Sequence, residues 1–268
     1  MRILDLFAGI GGMSLGFHAA NYGRYDFTRF PDEQDGESDN YFDTAAFVEC
    51  APACHRVLRK RFPGVPIHDD VTTYHPPKAD IVTGGFPCQD LSVAGKLAGL
   101  SGARSGLFVE MLRIARGCDA KYILFENSAE LVCNRENFSV FAERLRNDGY
   151  RFEAFVFTAE MCGLPHIRKR AFVVAYADGD RRQAFERIFS ENDLFHIHAL
   201  AKQRRVAWRA WRDSFKRWGA QLGENLPDIR KHDGLPAAVD RVRMLGNSLI
   251  PAIPRMFGLA IRHRELLQ

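Results

Sequence analysis

The chain has 268 residues, 46% of them hydrophobic, and a formal net charge of +4. That length and composition predict one domain with a full core, or one domain carrying a smaller lobe, and no apolar run is long enough to span a membrane. The mild positive balance permits a polyanionic partner without requiring one, so the position of the charge matters more than its sum. Six cysteines at irregular spacings do not make a disulfide scaffold, which predicts a reducing, cytoplasmic setting. Cys50 and the Cys54-His55 pair lack a second pair at ligand spacing, so no metal site is expected.

Residues 2–7 predict a first strand, in which Asp5 breaks the apolar run and argues against a signal peptide. Ala8-Gly9-Ile10-Gly11-Gly12 follow, then a helix carrying Met13, Leu15, Gly16 and Phe17. A strand, a glycine turn and a helix form the first unit of a nucleotide-binding α/β fold, the glycines letting the backbone approach a ligand. The turn is not Gly-x-Gly-x-x-Gly, and it lacks the lysine of a phosphate-cradling loop. Residues 23–43 are polar and acidic and predict a surface loop. Residues 45–48 predict a second strand ending in Glu49. An acid there either accepts the ribose hydroxyls or is a solvated strand end, and the preceding βα unit favours ribose. A helix over about residues 52–62 returns the chain to His68-Asp69-Asp70-Val71.

Ile81-Val82-Thr83-Gly84-Gly85-Phe86-Pro87-Cys88-Gln89 reads as a buried strand ending in a tight turn. In open parallel sheets, ligands and chemistry gather at this carboxyl end. Pro87 fixes the pose of the cysteine, which is either a buried inert thiol or a nucleophile. Residues 99–108 are glycine-rich and polar, as a mobile lid would be, and lead into a helix through Arg113. The apolar strand 122–125 delivers Glu126-Asn127-Ser128 to the same edge as Cys88. A carboxylate at the end of a buried strand costs free energy unless it is paired or used. A helix over 138–148 and a strand over 152–157 follow.

Gly163-Leu164-Pro165-His166-Ile167-Arg168-Lys169-Arg170 leads into a strand over 171–175. Alternation puts Arg168 and Arg170 on one face and Lys169 on the other. Two arginines on one face suit a phosphate and the carbonyl of a base, although solvated edge arginines would share the pattern. Residues 177–237 are rich in arginine and lysine, with Trp208, Trp211, Phe215, Trp218 and Leu222 on one helical stripe. The stripe reads as core packing, and the basic face is either solvated or laid along a phosphate backbone. Gly246-Asn247-Ser248 then precedes an apolar helix to about Ile261.

Asp-Leu-Phe-Ala-Gly-Ile-Gly-Gly, Gly-Phe-Pro-Cys-Gln followed by Ser92, Glu-Asn-Ser, the arginine strand and Gly-Asn-Ser together resemble the DNA (cytosine-5) methyltransferase family, in the family's order. The resemblance implies a mostly parallel, Rossmann-like α/β sheet that binds S-adenosylmethionine, with S-adenosylhomocysteine as product, and a small basic target-recognition lobe. It implies a catalytic region over 1–176, a variable region over 177–237, and a closing motif and helix over 238–268. Cys88 would be the nucleophile, Glu126 the acid at the base, and Arg168 and Arg170 the contacts to its carbonyl and backbone. Phe7 would stack on adenine, Gly9, Ile10 and Gly12 would line the methionine end, and Asp70 would take the adenine amino group with Val71 against the ring. Asp69 competes with Asp70 for that role. Pro87, Leu107, Asn247 and Ser248 would complete the pocket. The partner implied is double-stranded DNA, bound by a monomer with no membrane and no metal, in a restriction-modification, phage or orphan setting.

The sequence departs from the family at His166, where Gln is usual, and at Ser128, where Val is usual. Three rivals remain. An RNA cytosine-5 methyltransferase shares the chemistry, but the Cys-Phe-Thr signature of the RNA-acting relatives is absent from the variable region. A silent DNA-binding regulator is disfavoured by the intact Cys88, Glu126 and Arg170. A nicotinamide dehydrogenase is disfavoured by the spacing of the glycine turn.

Overall fold

The structure, a computed structural model, describes residues 1–22, 39–87, 107–162, 168–177 and 250–266. Its strands are β1 (Arg2–Leu6), β2 (Asp43–Val48), β3 (Ile67–His68), β4 (Ile81–Gly85), β5 (Tyr122–Ser128), β6 (Tyr150–Thr158) and β7 (Lys169–Ala177). Its helices are α1 (Gly12–Ala20), α2 (Pro52–Arg61), α3 (Leu107–Gly117), α4 (Glu130–Cys133), α5 (Arg135–Asn147) and α6 (Ala252–Leu266), with a 3-10 turn at Ala159–Cys162. The strands form one sheet in the order β3-β2-β1-β4-β5-β7-β6. The first five are parallel, and β7 runs antiparallel between β5 and β6. The mostly parallel α/β sheet expected from the sequence is therefore present.

Strict alternation sorts the apolar residues to two sides. Leu4, Leu6, Val82, Ile123, Phe125 and Val173 face α3 and α5, where they meet Met111, Leu112, Phe141 and Leu145. Ile3, Ile81, Leu124, Phe172 and Val174 face α1 and α6, where they meet Phe17, Phe257 and Ile261. Both faces are covered, which is why these strands read as near-continuous apolar runs. A smaller cluster of Phe47, Leu58 and Phe62 seats α2.

Several elements depart from their predicted bounds. β1 stops at Leu6, because Phe7 takes a left-handed backbone with φ of 52°. β5 runs three residues past Phe125 because β7 keeps pairing with it as far as Ser128 opposite Arg170. The same pairing carries β7 beyond 171–175 at both ends. α5 begins at Arg135 rather than 138, since the Asn134 side chain accepts the Asn137 N–H at 3.0 Å and caps the helix. β3 is only two residues long and was not expected.

α6 packs on α1 at close range. A Cβ on Gly16 would lie 2.8 Å from the Arg255 nitrogen and 2.5 Å from the Pro251 oxygen. Arg262 donates to the carbonyls of Ala20 and Asn21 at 3.2 and 3.1 Å. Glu265 accepts from Lys121 at 3.0 Å and from the Tyr122 hydroxyl at 2.8 Å. The end of the chain is thus fastened to its beginning across one face of the sheet.

Candidate active site

Strand register brings the candidate residues to one edge. Leu6 pairs with Val48 and with Gly84, Val48 with His68, and Gly85 with Glu126. Phe7, Glu49, Asp69-Asp70-Val71 and Phe86-Pro87 therefore leave the sheet together at its carboxyl edge. β7 is antiparallel, so its amino end, with Arg168 and Arg170, reaches that same edge opposite Ser128. Glu126 lies within β5 rather than at its end, but it is the last β5 residue paired with β4.

At the β1–β2–β3 end, polar groups are held by local donors. Gly9 and Gly11 have φ of 55° and 80°, so the turn after Phe7 needs residues without a Cβ penalty. Glu49 accepts the Gly9 N–H at 2.8 Å through one oxygen and the Ala51 N–H at 2.8 Å through the other. Its carboxylate therefore sits against the glycine turn. Phe7 is half-buried against the core, Ile10 is half-buried in the turn, and Gly12 is buried as the first residue of α1. Open space surrounds the position of a Cβ on Gly9. An open, glycine-walled space with a carboxylate and an aromatic ring at a strand edge suits a nucleoside.

Asp70 is exposed and accepts from the Thr72 N–H at 2.8 Å and the Thr72 hydroxyl at 2.7 Å, which hold its carboxyl below the usual range. Val71 is buried in the core beneath it. Asp69 is exposed, with an oxygen 3.7 Å from His55 Nε2. Leu107 opens α3, half-buried against the same core.

Asp5, the acid that interrupts the apolar run of β1, is a further feature of this end. It is 1% exposed and accepts from Ser14 Oγ at 2.8 Å, from the Ser14 N–H at 3.2 Å and from Thr83 Oγ1 at 3.0 Å. α1 has no capping side chain of its own, so Asp5 answers its first turn from the neighbouring strand. It joins β1, α1 and β4 at one point. Burial pushes its carboxyl up to about 7, against the pull of these hydrogen bonds. An acid inside an apolar strand run should itself have signalled a buried partner.

At the β4–β5–β7 end, an ion pair takes over. Arg170 Nε lies 2.9 Å from Glu126 Oε1, with the two side chains 29% and 18% exposed. Burial raises the Glu126 carboxyl above its ordinary value, while Arg170 and Arg168 oppose that rise. Burial and the neighbouring Arg170 lower Arg168. Lys169 is exposed between two half-buried arginines, as alternation predicts. A Cβ on Gly85 would lie 2.6 Å from Glu126 Oε2, so the second glycine of the Gly-Gly pair makes room for this carboxylate.

The chain leading to the cysteine is anchored. Phe86 is buried among Phe108, Phe125 and Phe141. The buried Asn127 amide donates to the Phe86 carbonyl at 3.1 Å, and its oxygen accepts the Ser128 N–H at 2.8 Å. Half-buried Pro87 follows from this fixed point. Asn127 and Gly85 both act through a neighbouring strand. Cys88, Asn247 and Ser248 lie outside the described residues, as do His166, residues 99–106 and the basic segment 178–249. Among the described residues, no group of three or more His, Cys, Asp or Glu could hold a metal ion.

Comparison with known proteins gives the family of the chain. The family described as C-5 cytosine-specific DNA methylase matches residues 1–250. The Type II methyltransferase M2.BsuMI of Bacillus subtilis is 34% identical over 202 residues, covering 72% of this chain and 47% of that protein. The Type II methyltransferase M.AquIA of Picosynechococcus is 30% identical over 195 residues, covering 65% of this chain and 71% of that protein. The chain spans about half the length of the first of these relatives. The S. pombe Dnmt2 methyltransferase shares the fold with a TM-score of 0.53 at 20% identity, over 73% of this chain and 55% of that one. A Spodoptera frugiperda DNMT2 variant does so with a TM-score of 0.51 at 21% identity, over 69% and 52%. With its sheet order, its edge residues and a match over residues 1–250, the chain belongs to the C-5 cytosine-specific DNA methylase family.

Proposed function

We propose that the chain transfers a methyl group from S-adenosylmethionine to C5 of a cytosine in double-stranded DNA, in a restriction-modification, phage or orphan setting. The observation that carries the reading is the Glu126–Arg170 pair over Gly85, at the edge where β4 leads to Cys88, in a member of this family.

The residues suit the reaction. C5 of cytosine is a weak nucleophile. The Cys88 thiolate adds to C6, and the electron pair of the C5–C6 double bond becomes available at C5. When bound, S-adenosylmethionine supplies a methyl group on a positively charged sulfur. Glu126, whose carboxyl burial keeps toward the protonated form, shares a proton with N3 as charge gathers on the ring. Arg170 and Arg168 polarise the O2 carbonyl and hold the flanking backbone. The C5 proton then passes to solvent water, the S–C6 bond breaks and the double bond re-forms. Phe7, the 9–12 turn, Glu49, Asp70, Val71, Pro87, Leu107, Asn247 and Ser248 hold the cofactor. The target base leaves the helix stack to reach them, at a cost of about a few kcal/mol. The chain acts as a monomer.

The test is transfer of labelled methyl to unmethylated duplex DNA, and to tRNA, by the wild type and by Cys88→Ser. Base-resolution mapping of the product follows. Methyl at C5 of cytosine in one short DNA context, absent with Cys88→Ser, is the expected result. Transfer to tRNA alone, or none to DNA despite cofactor binding, overturns the reading.

A further inference from the structure

We infer that Arg113 is a positioning residue for cofactor binding, one that holds the Asp70-Val71 wall of the pocket in place through backbone carbonyls. The inference rests on the cofactor reading of that wall given above. Residues 69–80 form no helix or strand, and they follow a strand only two residues long. Such a segment has little ladder hydrogen bonding to fix it. Arg113, on α3, supplies the missing donors. Its Nη2 donates to the Val71 carbonyl at 2.8 Å and to the Thr72 carbonyl at 3.4 Å, and its Nη1 to the Tyr74 carbonyl at 3.1 Å.

The remaining donor, Nε, is 2.6 Å from Glu110 Oε2, one helical turn earlier. That contact fixes the plane of the guanidinium so that its outer edge faces the carbonyls. A planar fork can serve several acceptors at once, whereas a lysine ammonium on a flexible stem cannot hold the same set. Buried Val71 and Tyr74 seat the segment from below, and the Tyr74 ring meets His68 at 4.6 Å. Thr72 latches the Asp70 carboxylate from within the turn.

The consequence is a mechanical link. α3 begins at Leu107, which packs against the same core as Val71. Through Arg113 the adenine side of the pocket moves with that helix, so its geometry is set before cofactor arrives. Arg113 itself touches none of the reacting groups, and its loss should weaken cofactor binding while sparing the chemical step.

The experiment compares wild type, Arg113→Met, Arg113→Lys and Glu110→Gln. Binding of S-adenosylhomocysteine is measured by calorimetry, backbone hydrogen exchange over residues 70–74, and kcat and KM for methyl transfer. Arg113→Met, which removes all three carbonyl bonds, should raise Kd and the cofactor KM about ten- to thirty-fold, with kcat within about two-fold. Exchange over 70–74 should quicken. Arg113→Lys should recover part of the affinity, and Glu110→Gln should cost about two- to four-fold because the carbonyl bonds remain. Folded variants that all bind like wild type overturn the inference, as does a fall in kcat with Kd unchanged. If Arg113→Met does not fold, the Lys and Gln variants decide by the same criterion. A wild-type chain that binds no S-adenosylhomocysteine overturns the pocket reading itself, a result distinct from the failure of Arg113.

Discussion

At the β1–β2–β3 end of the carboxyl edge, Asp5, Glu49 and Asp70 are answered by backbone N–H groups and hydroxyls. At the β4–β5–β7 end, Glu126 is answered by a guanidinium. Backbone donors are fixed by the fold and carry no net charge, so they shape a surface. A half-buried ion pair holds charge in a place where it can respond to a substrate. On the function proposed above, one end would serve shape and the other chemistry, and substitutions at the two ends should separate affinity from rate.

The sharpest break is Glu126→Gln. The amide keeps the shape but neither holds nor releases a proton at the base. Methyl transfer at saturating cofactor should fall by about 10²- to 10⁴-fold, the usual worth of a positioned acid, with S-adenosylhomocysteine affinity within about two-fold. Steady-state rates beside calorimetry check this, and an equal loss in both would show that the two ends are not separable.

Gly85→Ala attacks the same group without changing its chemistry. The added methyl would stand 2.6 Å from Glu126 Oε2, so the carboxylate must move off its seat. A displacement of this size should lower kcat by about ten- to a hundred-fold and leave cofactor affinity alone. Unchanged kcat would mean that the Glu126 rotamer adjusts at no cost.

Most of the sheet was legible in the sequence, because alternation within each strand is set by burial on two covered faces. The edge residues were legible by type and order. Their supports were not. Asn127 fixes Phe86 across a strand pair, Gly85 yields space to a side chain on β5, and Arg113 reaches a segment some 40 residues away. Each depends on a register or crossing that no local spacing encodes. The short β3 was missed for a related reason, since two residues carry no periodicity. Asp5 is the exception. A lone acid in an apolar strand had a physical reading available, and only its partners Ser14 and Thr83 needed the structure.

Asp5 also gives the shape end a pH dependence. Its folded carboxyl is pushed up to about 7, above its unfolded value near 3.8, so the folded state binds more protons between these values. Stability from this group is therefore full below about pH 4 and is lost as pH rises toward and through about 7. Asp5→Asn keeps an acceptor for Ser14 and removes the titration. Urea unfolding at pH 5 and pH 8 should show the wild type losing about 1–3 kcal/mol relative to the variant. Parallel pH profiles for the two proteins would place the titration elsewhere.

The smallest expected effect sharpens the contrast between two glycines. Gly85 is required for space, but Gly9 is required for conformation: its φ is 55°, and a Cβ there would meet no atom within 4 Å. Gly9→Ala should therefore cost about 1 kcal/mol of folding stability, the penalty for an L side chain in the left-handed region, and no more. The new methyl points into the open space beside the Glu49 carboxylate, where the cofactor is proposed to lie. Affinity for S-adenosylhomocysteine should fall several-fold, while kcat at saturation stays near that of wild type. A thermal melt and a calorimetric titration on one sample read both quantities. A loss of stability with affinity intact would move the ligand away from Gly9. A loss of kcat would mean that the glycine turn also sets the approach of the reacting groups, and the division of the edge into shape and chemistry would then fail at its first residue.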